Sequence, residues 1–415
     1  PTAAVKLPQP EKEWTFAVFL NADNNLDPFG VEDQQEAAKI GSNKWLNIVT
    51  LIDRERGPAQ YNYIEKGKIT KIKDMGELDM GDYKLFIEFV KYIKTNFPAR
   101  HYMLGIWNHG SGWKHGVKVV RGISYDDSSN NHITNNQLTL ALNESKLILG
   151  KNIDILNFDA CLMAMVEVTY ACKDSVDYIV ASEETEPGKG TPYDLVLAEF
   201  SATKSVDDIC KAWVKVFVSS YSKGSQGLEA CTQSALKVAA TPALADALNG
   251  FAKAVLAGKY TTEFTQALSA VQKFADADYV DLMHLVNLLK GSINDEAFQT
   301  AANKVLETAR AAIISNEFAM DSMKDATGIS IYFPTDSYSF VAGYKELEFC
   351  KTGMWDEMVQ DYLKNKAGGA MTDAVNTGNV PALRAFVGEA ANHDQEINKH
   401  VVEKLNFRLF TEGGL

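Results

Sequence analysis

An α/β fold built on a doubly wound, mostly parallel sheet is predicted by three features of the chain. Short apolar runs recur at Trp14–Leu20, Leu46–Ile52, His101–Trp107, Ile153–Phe158 and Tyr178–Ala181, each the length of a strand buried on both faces. Helical patterns fall between these runs, and strand–helix alternation is the signature of parallel pairing. Polar residues gather just beyond the end of each run, where an open parallel sheet forms its ligand crevice.

Taken in order, residues 1–13 (PTAAVKLPQPEKE) form a Pro-rich, polar leader before the first strand. They read as what remains after removal of a signal peptide, which places the protein outside the cytoplasm: secreted, periplasmic or on the cell surface. After the second run, Tyr61–Glu65 and Lys68–Lys73 joined through Gly67 predict an inserted hairpin. Helices are predicted over Tyr83–Phe97, with Leu85, Phe86, Phe89, Val90 and Ile93 on one face, over Asn135–Leu147 and over Leu162–Cys172.

From residue 206 to about 311 the pattern turns helical, with amphipathic stretches at Ala243–Leu256, Thr262–Phe274, Val280–Leu289 and Asp295–Ala311. GISIYFP, residues 328–334, is then read as a late strand that rejoins the sheet, making the helical region an elaboration of one domain spanning 14–365. Ala367–Ala370 (AGGA) is read as a flexible break before a helical tail over 366–415. DAVNTGNVPALRAFV in that tail is similar to half an ankyrin repeat. Half a repeat cannot bury its own face, so the tail is expected to cap the main domain or to contact another protein.

With 46% hydrophobic and 23% charged residues over 415 positions, the chain can bury substantial cores. Its 41 basic and 54 acidic residues leave a net charge of -13. This argues against a nucleic-acid or anionic-membrane surface and favours cationic substrates. The five cysteines show no CxxC spacing, so neither a disulfide scaffold nor a zinc knuckle is indicated. No apolar run approaches the ~20 residues of a membrane span. GxxxxGK[ST] and HExxH are absent, and Ser111 sits in GSG without the GxSxG elbow of a serine hydrolase.

The chemistry concentrates at Asp23 and Asn24, Asp53, Asn108 and His109, Asp159 and Cys161, and Ser182 to Glu184. Cys161 precedes an apparent helix whose N-terminal dipole would favour thiolate. His109, at a neighbouring strand end, is placed to protonate a departing amine and then to activate water. Gly110 leaves its N–H unshielded and, with the N–H of Cys161, is placed to hold an oxyanion. Free cysteine is usually packing, and Cys172, Cys210, Cys231 and Cys350 are read that way. His101, His115, His132, His284, His393 and His400 lack a comparable setting. Asp159, two residues before Cys161, points to the same side of an extended segment. It either caps the following helix or pairs with a basic substrate side chain.

FLNADNNLD (19–27), FPARHYMLGIWNHGSGW (97–113), NFDACLMAMVEV (157–168), PGKGTPY (187–193) and GISIYFP together resemble the clostripain family of cysteine peptidases, in the caspase-like clan with gingipains and legumains. The resemblance implies a caspase-like α/β/α sandwich. It also implies a His109–Cys161 dyad, an oxyanion hole at Gly110 and Cys161, and Asp159 as the acid behind cleavage after Arg or Lys. Ser182 to Gly190 would form a wall of that pocket, with Glu184 and Thr185 touching substrate; Lys189 is a positive charge at odds with it. Maturation by a cut in the 113–134 connection is implied, at Lys114, Lys118 or Arg121. No cofactor is essential to the chemistry. Calcium is admitted with no assigned site: Asp23, Asn25 and Asp27 alternate like a calcium turn, but Pro28 and Gln34 break the EF-hand pattern. The alternatives are the same dyad with a non-basic P1 preference, and a non-catalytic peptide-binding or adhesion protein.

Overall fold

The apolar runs assemble into one nine-stranded sheet in a computed structural model that describes residues 5–113, 122–336 and 340–377. Its strands are β1 (Lys12–Ala22), β2 (Leu46–Arg54), β3 (Ala59–Glu65), β4 (Lys68–Gly76), β5 (Ala99–Trp107), β6 (Ile153–Asp159), β7 (Val176–Ala181), β8 (Cys231–Lys237) and β9 (Ile313–Ala319). The order across the sheet is β9-β8-β7-β6-β5-β1-β2-β3-β4. The five central strands, β7 to β2, are parallel. Antiparallel pairs extend both edges.

The helices are α1 (Asp27–Ile40), α2 (Tyr83–Asn96), α3 (Asn135–Leu149), α4 (Val166–Ala171), α5 (Tyr193–Ala198), α6 (Val206–Ser220), α7 (Thr241–Gly258), α8 (Thr261–Ala270), α9 (Leu282–Ser292), α10 (Glu296–Ala312), α11 (Glu348–Thr352) and α12 (Trp355–Thr377), and those before α12 flank the sheet on both faces. The alternation of a strand decides which residue meets which layer. Trp14, Phe16, Val18 and Leu20 of β1 pack with Tyr193, Val196, Leu197 and Trp213 of α5 and α6. Phe19, on the other face, meets Phe86 and Phe89 of α2 edge-on, at centroid distances of 5.4 and 5.5 Å. Local signals agree with the helix boundaries: Asp82 caps α2 by accepting from Lys84 N, and Thr134 and Gln137 form a capping box on α3. This is the caspase-like α/β/α sandwich, with a mostly parallel sheet, that the sequence predicts.

Several boundaries differ for physical reasons. β1 starts at Lys12, inside the segment read as leader, and Gln9 N donates to Asn96 O at 2.8 Å. The helical region contains β8 and is followed by β9, and the two extend the sheet beside β7. β7's edge is therefore already occupied. GISIYFP does not rejoin the sheet: Ser330–Tyr332 pairs antiparallel with Tyr279–Asp281 and bridges Met165. The helix expected over Leu162–Cys172 shrinks to α4. Leu162 has φ 65°, Leu162 N donates to Glu184 O and Ala164 N to Ser182 O, so the residues after Cys161 are tied to the chain beyond β7. AGGA is no break, since α12 runs through it. Each glycine costs about 1 kcal/mol in a helix interior, an amount that does not by itself end a helix of this length.

The chain divides into Pro1–Met358, which holds the whole sheet, and Val359–Leu415. The ankyrin-like words lie mostly outside the described residues. No helix among the described residues is long and apolar enough to cross a membrane.

Candidate active site

β5 and β6 are parallel neighbours whose register sets Trp107 opposite Asp159. Two residues beyond these paired positions stand His109 and Cys161, at matching steps past the carboxyl ends of adjacent strands. Asn108 fixes the turn between strand and histidine: its Nδ2 donates to Asn21 O at 2.7 Å and Tyr125 O at 2.9 Å, and its Oδ1 accepts from Tyr125 N at 2.7 Å. Gly110 then runs against the cysteine's own backbone. A Cβ there would lie 2.5 Å from Cys161 O and 3.1 Å from Cys161 N, so only glycine lets the two strand-end loops meet this closely.

His109 Nε2 donates to Asn25 Oδ1 at 2.7 Å. An amide oxygen only accepts, so Nε2 carries the proton and Nδ1 the lone pair. Burial lowers the imidazole's affinity for a second proton below its ordinary level, with Asp127 opposing. Cys161 Sγ accepts the backbone N–H of Glu186 at 3.3 Å. Burial nevertheless holds the thiol pKa above its ordinary value, and the charges of Glu184 and Asp159 add to that. The resting pair is thus a neutral thiol and a neutral imidazole. This corrects the thiolate expected from a helix dipole, because α4 begins five residues after Cys161, at Val166.

Beside the sulfur lies a buried cluster of acids. Asp159, 5% exposed, accepts from Tyr193 Oη at 2.5 Å. Glu186 donates a carboxyl proton to it, which keeps Glu186 protonated well above the usual carboxylate range, burial being the larger cause. Asp33 of α1 accepts from Trp107 Nε1 at 2.7 Å and is also held protonated, by burial and then by Asp159. The segment after β7 closes over these acids. Thr232 of β8 anchors it, accepting from Glu183 N at 2.9 Å, and Tyr221 Oη donates to Gly190 O at 2.6 Å.

Across this whole region, residues 18–362, the chain matches the sequence model of the clostripain family. The chain belongs to the clostripain family. The clostripain of Hathewaya histolytica is 28% identical over 233 residues, 47% of this chain and 44% of that one, so the match spans less than half of that relative. Two solved structures share the fold. A secreted C11 cysteine protease from Bacteroides thetaiotaomicron, in complex with an irreversible peptide inhibitor, is 21% identical with a TM-score of 0.67, covering 83% of this chain and 99% of that one. An inactive zymogen C11 protease from Parabacteroides distasonis is 19% identical with a TM-score of 0.63, covering 83% and 98%.

Within this clostripain-family site, Glu184 is buried and its Oε1 accepts from Thr185 N at 2.7 Å and Ala275 N at 3.1 Å, while Thr185 is exposed. The carboxyl that meets Asp159 belongs to Glu186, two residues on and therefore on the same side of an extended segment. Lys189 is exposed and donates to Gln226 O at 3.4 Å. Asn25 and Asp33 were not among the expected site residues. Asn25's only sequence signal is its place in the polar run just beyond β1, and Asp33 depends on α1 to bring it in. Lys114, Lys118 and Arg121 lie outside the described residues.

The oxygens of the 23–27 loop do not fit a calcium turn. Asp23 Oδ2 accepts from Ser128 N, Asn25 from His109, and Asp27 pairs with Arg54 at 2.7 Å. Among the described residues, no group of three or more His, Cys, Asp or Glu side chains is arranged to hold a metal ion.

Proposed function

We propose that this chain is a secreted cysteine endopeptidase that cleaves after Arg or Lys. The observation that carries the reading is the buried cluster of acids in which Glu186 touches Cys161 Sγ through its N–H and Asp159 through its carboxyl. A cationic P1 side chain entering beside the sulfur meets a carboxylate at the depth where its own charge must lose water, which is where a charge-assisted pair discriminates most strongly.

The reaction starts from the neutral pair. As the thiol attacks the scissile carbonyl carbon, its proton passes to His109 Nδ1 and a C–S bond forms. Gly110 N–H and Cys161 N–H hold the oxyanion. His109 then gives the proton to the leaving amine as the C–N bond breaks, leaving a thioester. Water, deprotonated by His109, attacks the thioester and releases the acid, and the thiol regains its proton. A neutral resting pair suits this sequence because the sulfur is charged only when an acyl carbon is there to receive it. Maturation by a cut in the 113–134 connection, after Lys114, Lys118 or Arg121, belongs to the same proposal, and a fold relative is itself described as an inactive zymogen.

A peptide library randomised at P1 tests identity and specificity together. Wild type is expected to release product after Lys and Arg, Cys161→Ala to release none and to stay a single chain, and Asp159→Asn to lose about tenfold or more on basic P1 residues. Turnover surviving in Cys161→Ala would end the dyad proposal. Cleavage after uncharged residues instead would move the reading to a non-basic specificity.

A further inference from the structure

Resting on the basic-P1 reading above, we infer that Asp33 is a further specificity-determining residue, which lines with Asp159 the space that receives the P1 cation. The geometry comes from Gly190. A Cβ placed on this residue, its chain neighbours aside, would have two heavy atoms within 4 Å: Asp159 Oδ1 at 3.7 Å and Asp33 Oδ2 at 3.8 Å. The missing side chain thus marks a point within van der Waals reach of two carboxylates from different elements, one at the end of β6 and one on α1. Both acids are 5% exposed, so water reaches them poorly.

Among the described residues, no ion pair joins either acid to a Lys or Arg side chain. The leading charges acting on Asp33 are those of Asp159, Glu36 and Glu32, all negative. The nearby lysines are committed elsewhere, Lys39 to Asp194 at 2.7 Å and Lys189 to Gln226 O. Two buried acids converging on one point without a counter-ion are costly in the ionised form. An ammonium or guanidinium arriving from outside removes that cost, and a neutral side chain of the same length does not. The competing account is that Asp33 is a strut, its bond to Trp107 Nε1 simply holding α1 against β5.

The two accounts separate in kinetics on peptide amides that differ only in P1, carrying Lys, Arg or Gln, measured with the full chain. Asp33→Asn keeps an acceptor for the Trp107 indole and cannot ionise when the P1 cation arrives. The ratio of kcat/KM for Lys over Gln is expected to fall about tenfold or more, mainly through KM. Asp33→Glu retains the charge and should retain most of the preference. Trp107→Phe removes only the strut, so Tm should drop with the ratio kept. An unchanged ratio in Asp33→Asn, or the same loss of ratio in Trp107→Phe, overturns the inference. A wild type with no preference for Lys or Arg over Gln would instead remove the P1 reading on which it rests.

Discussion

In the proposed mechanism Asn25 sets which nitrogen of His109 faces the chemistry. With Nε2–H held at 2.7 Å by an oxygen that cannot donate, Nδ1 is the base. Losing that bond lets the ring rotate or change tautomer without disturbing the core. Asn25→Ala should lower kcat by roughly tenfold to a hundredfold with a smaller change in KM. Asn25→Asp gives the sharper reading. A carboxylate still accepts from Nε2 but stabilises the imidazolium, so the histidine titrates at higher pH. Only the neutral ring accepts the thiol proton, so activity is lost as pH falls through that value. Burial puts the wild-type acid limb below the ordinary histidine range, and Asn25→Asp should move it upward. A bond that merely stiffened the loop would leave the limb where it is, and a kcat/KM profile between pH 5 and 8 decides.

At the level of elements, the site is a meeting of two strand-end loops, and Gly110 is where they touch. Its φ is not in the left-handed region, so the strain on an alanine there would come from close approach, 2.5 Å to Cys161 O and 2.9 Å to the Ala160 Cβ. Gly110→Ala is expected to separate His109 from Cys161 and to cost about a hundredfold in kcat/KM. An active variant would show that the loops have slack. What was legible in the sequence follows the same division. β1, β2, β5, β6 and β7 are apolar runs bounded by polar residues, and the strand-end rule leads from them to His109 and Cys161. β8 (CTQSALK) is half polar, because Thr232 and Ser234 serve the wall of the site and the next strand. β9 follows α10 without a turn residue, so no change of period announces it. Glu186 and Asp33 needed tertiary structure, one to choose between two alternating acids and the other to bring a helix to a strand end.

Over the whole molecule, buried acids couple stability to pH in an unusual direction. Glu167 of α4 is the cleanest case: 1% exposed, it accepts from Tyr332 N at 2.9 Å and Tyr344 Oη at 2.7 Å, and burial pushes its pKa up to about 7. In the unfolded chain the same group titrates near 4.5. Between these values the native state holds a proton that the unfolded state has lost, so this stability is complete below about pH 4.5 and drains away as pH rises to about 7. The difference corresponds to roughly 3 kcal/mol for this one group. Asp33, Asp159, Glu183 and Glu186 are raised for the same first reason, burial, and act with the same sign. Wild-type Tm should therefore be higher at pH 5.5 than at pH 8. Glu167→Gln keeps an acceptor for both tyrosine donors and cannot titrate, so the gap between the two pH values should narrow by several degrees, on the order of 1–2 °C per kcal/mol in a domain of this size. A Tm that rises with pH in the wild type, or a gap unaltered by Glu167→Gln, would mean that these acids are ionised in the native protein and that water reaches them.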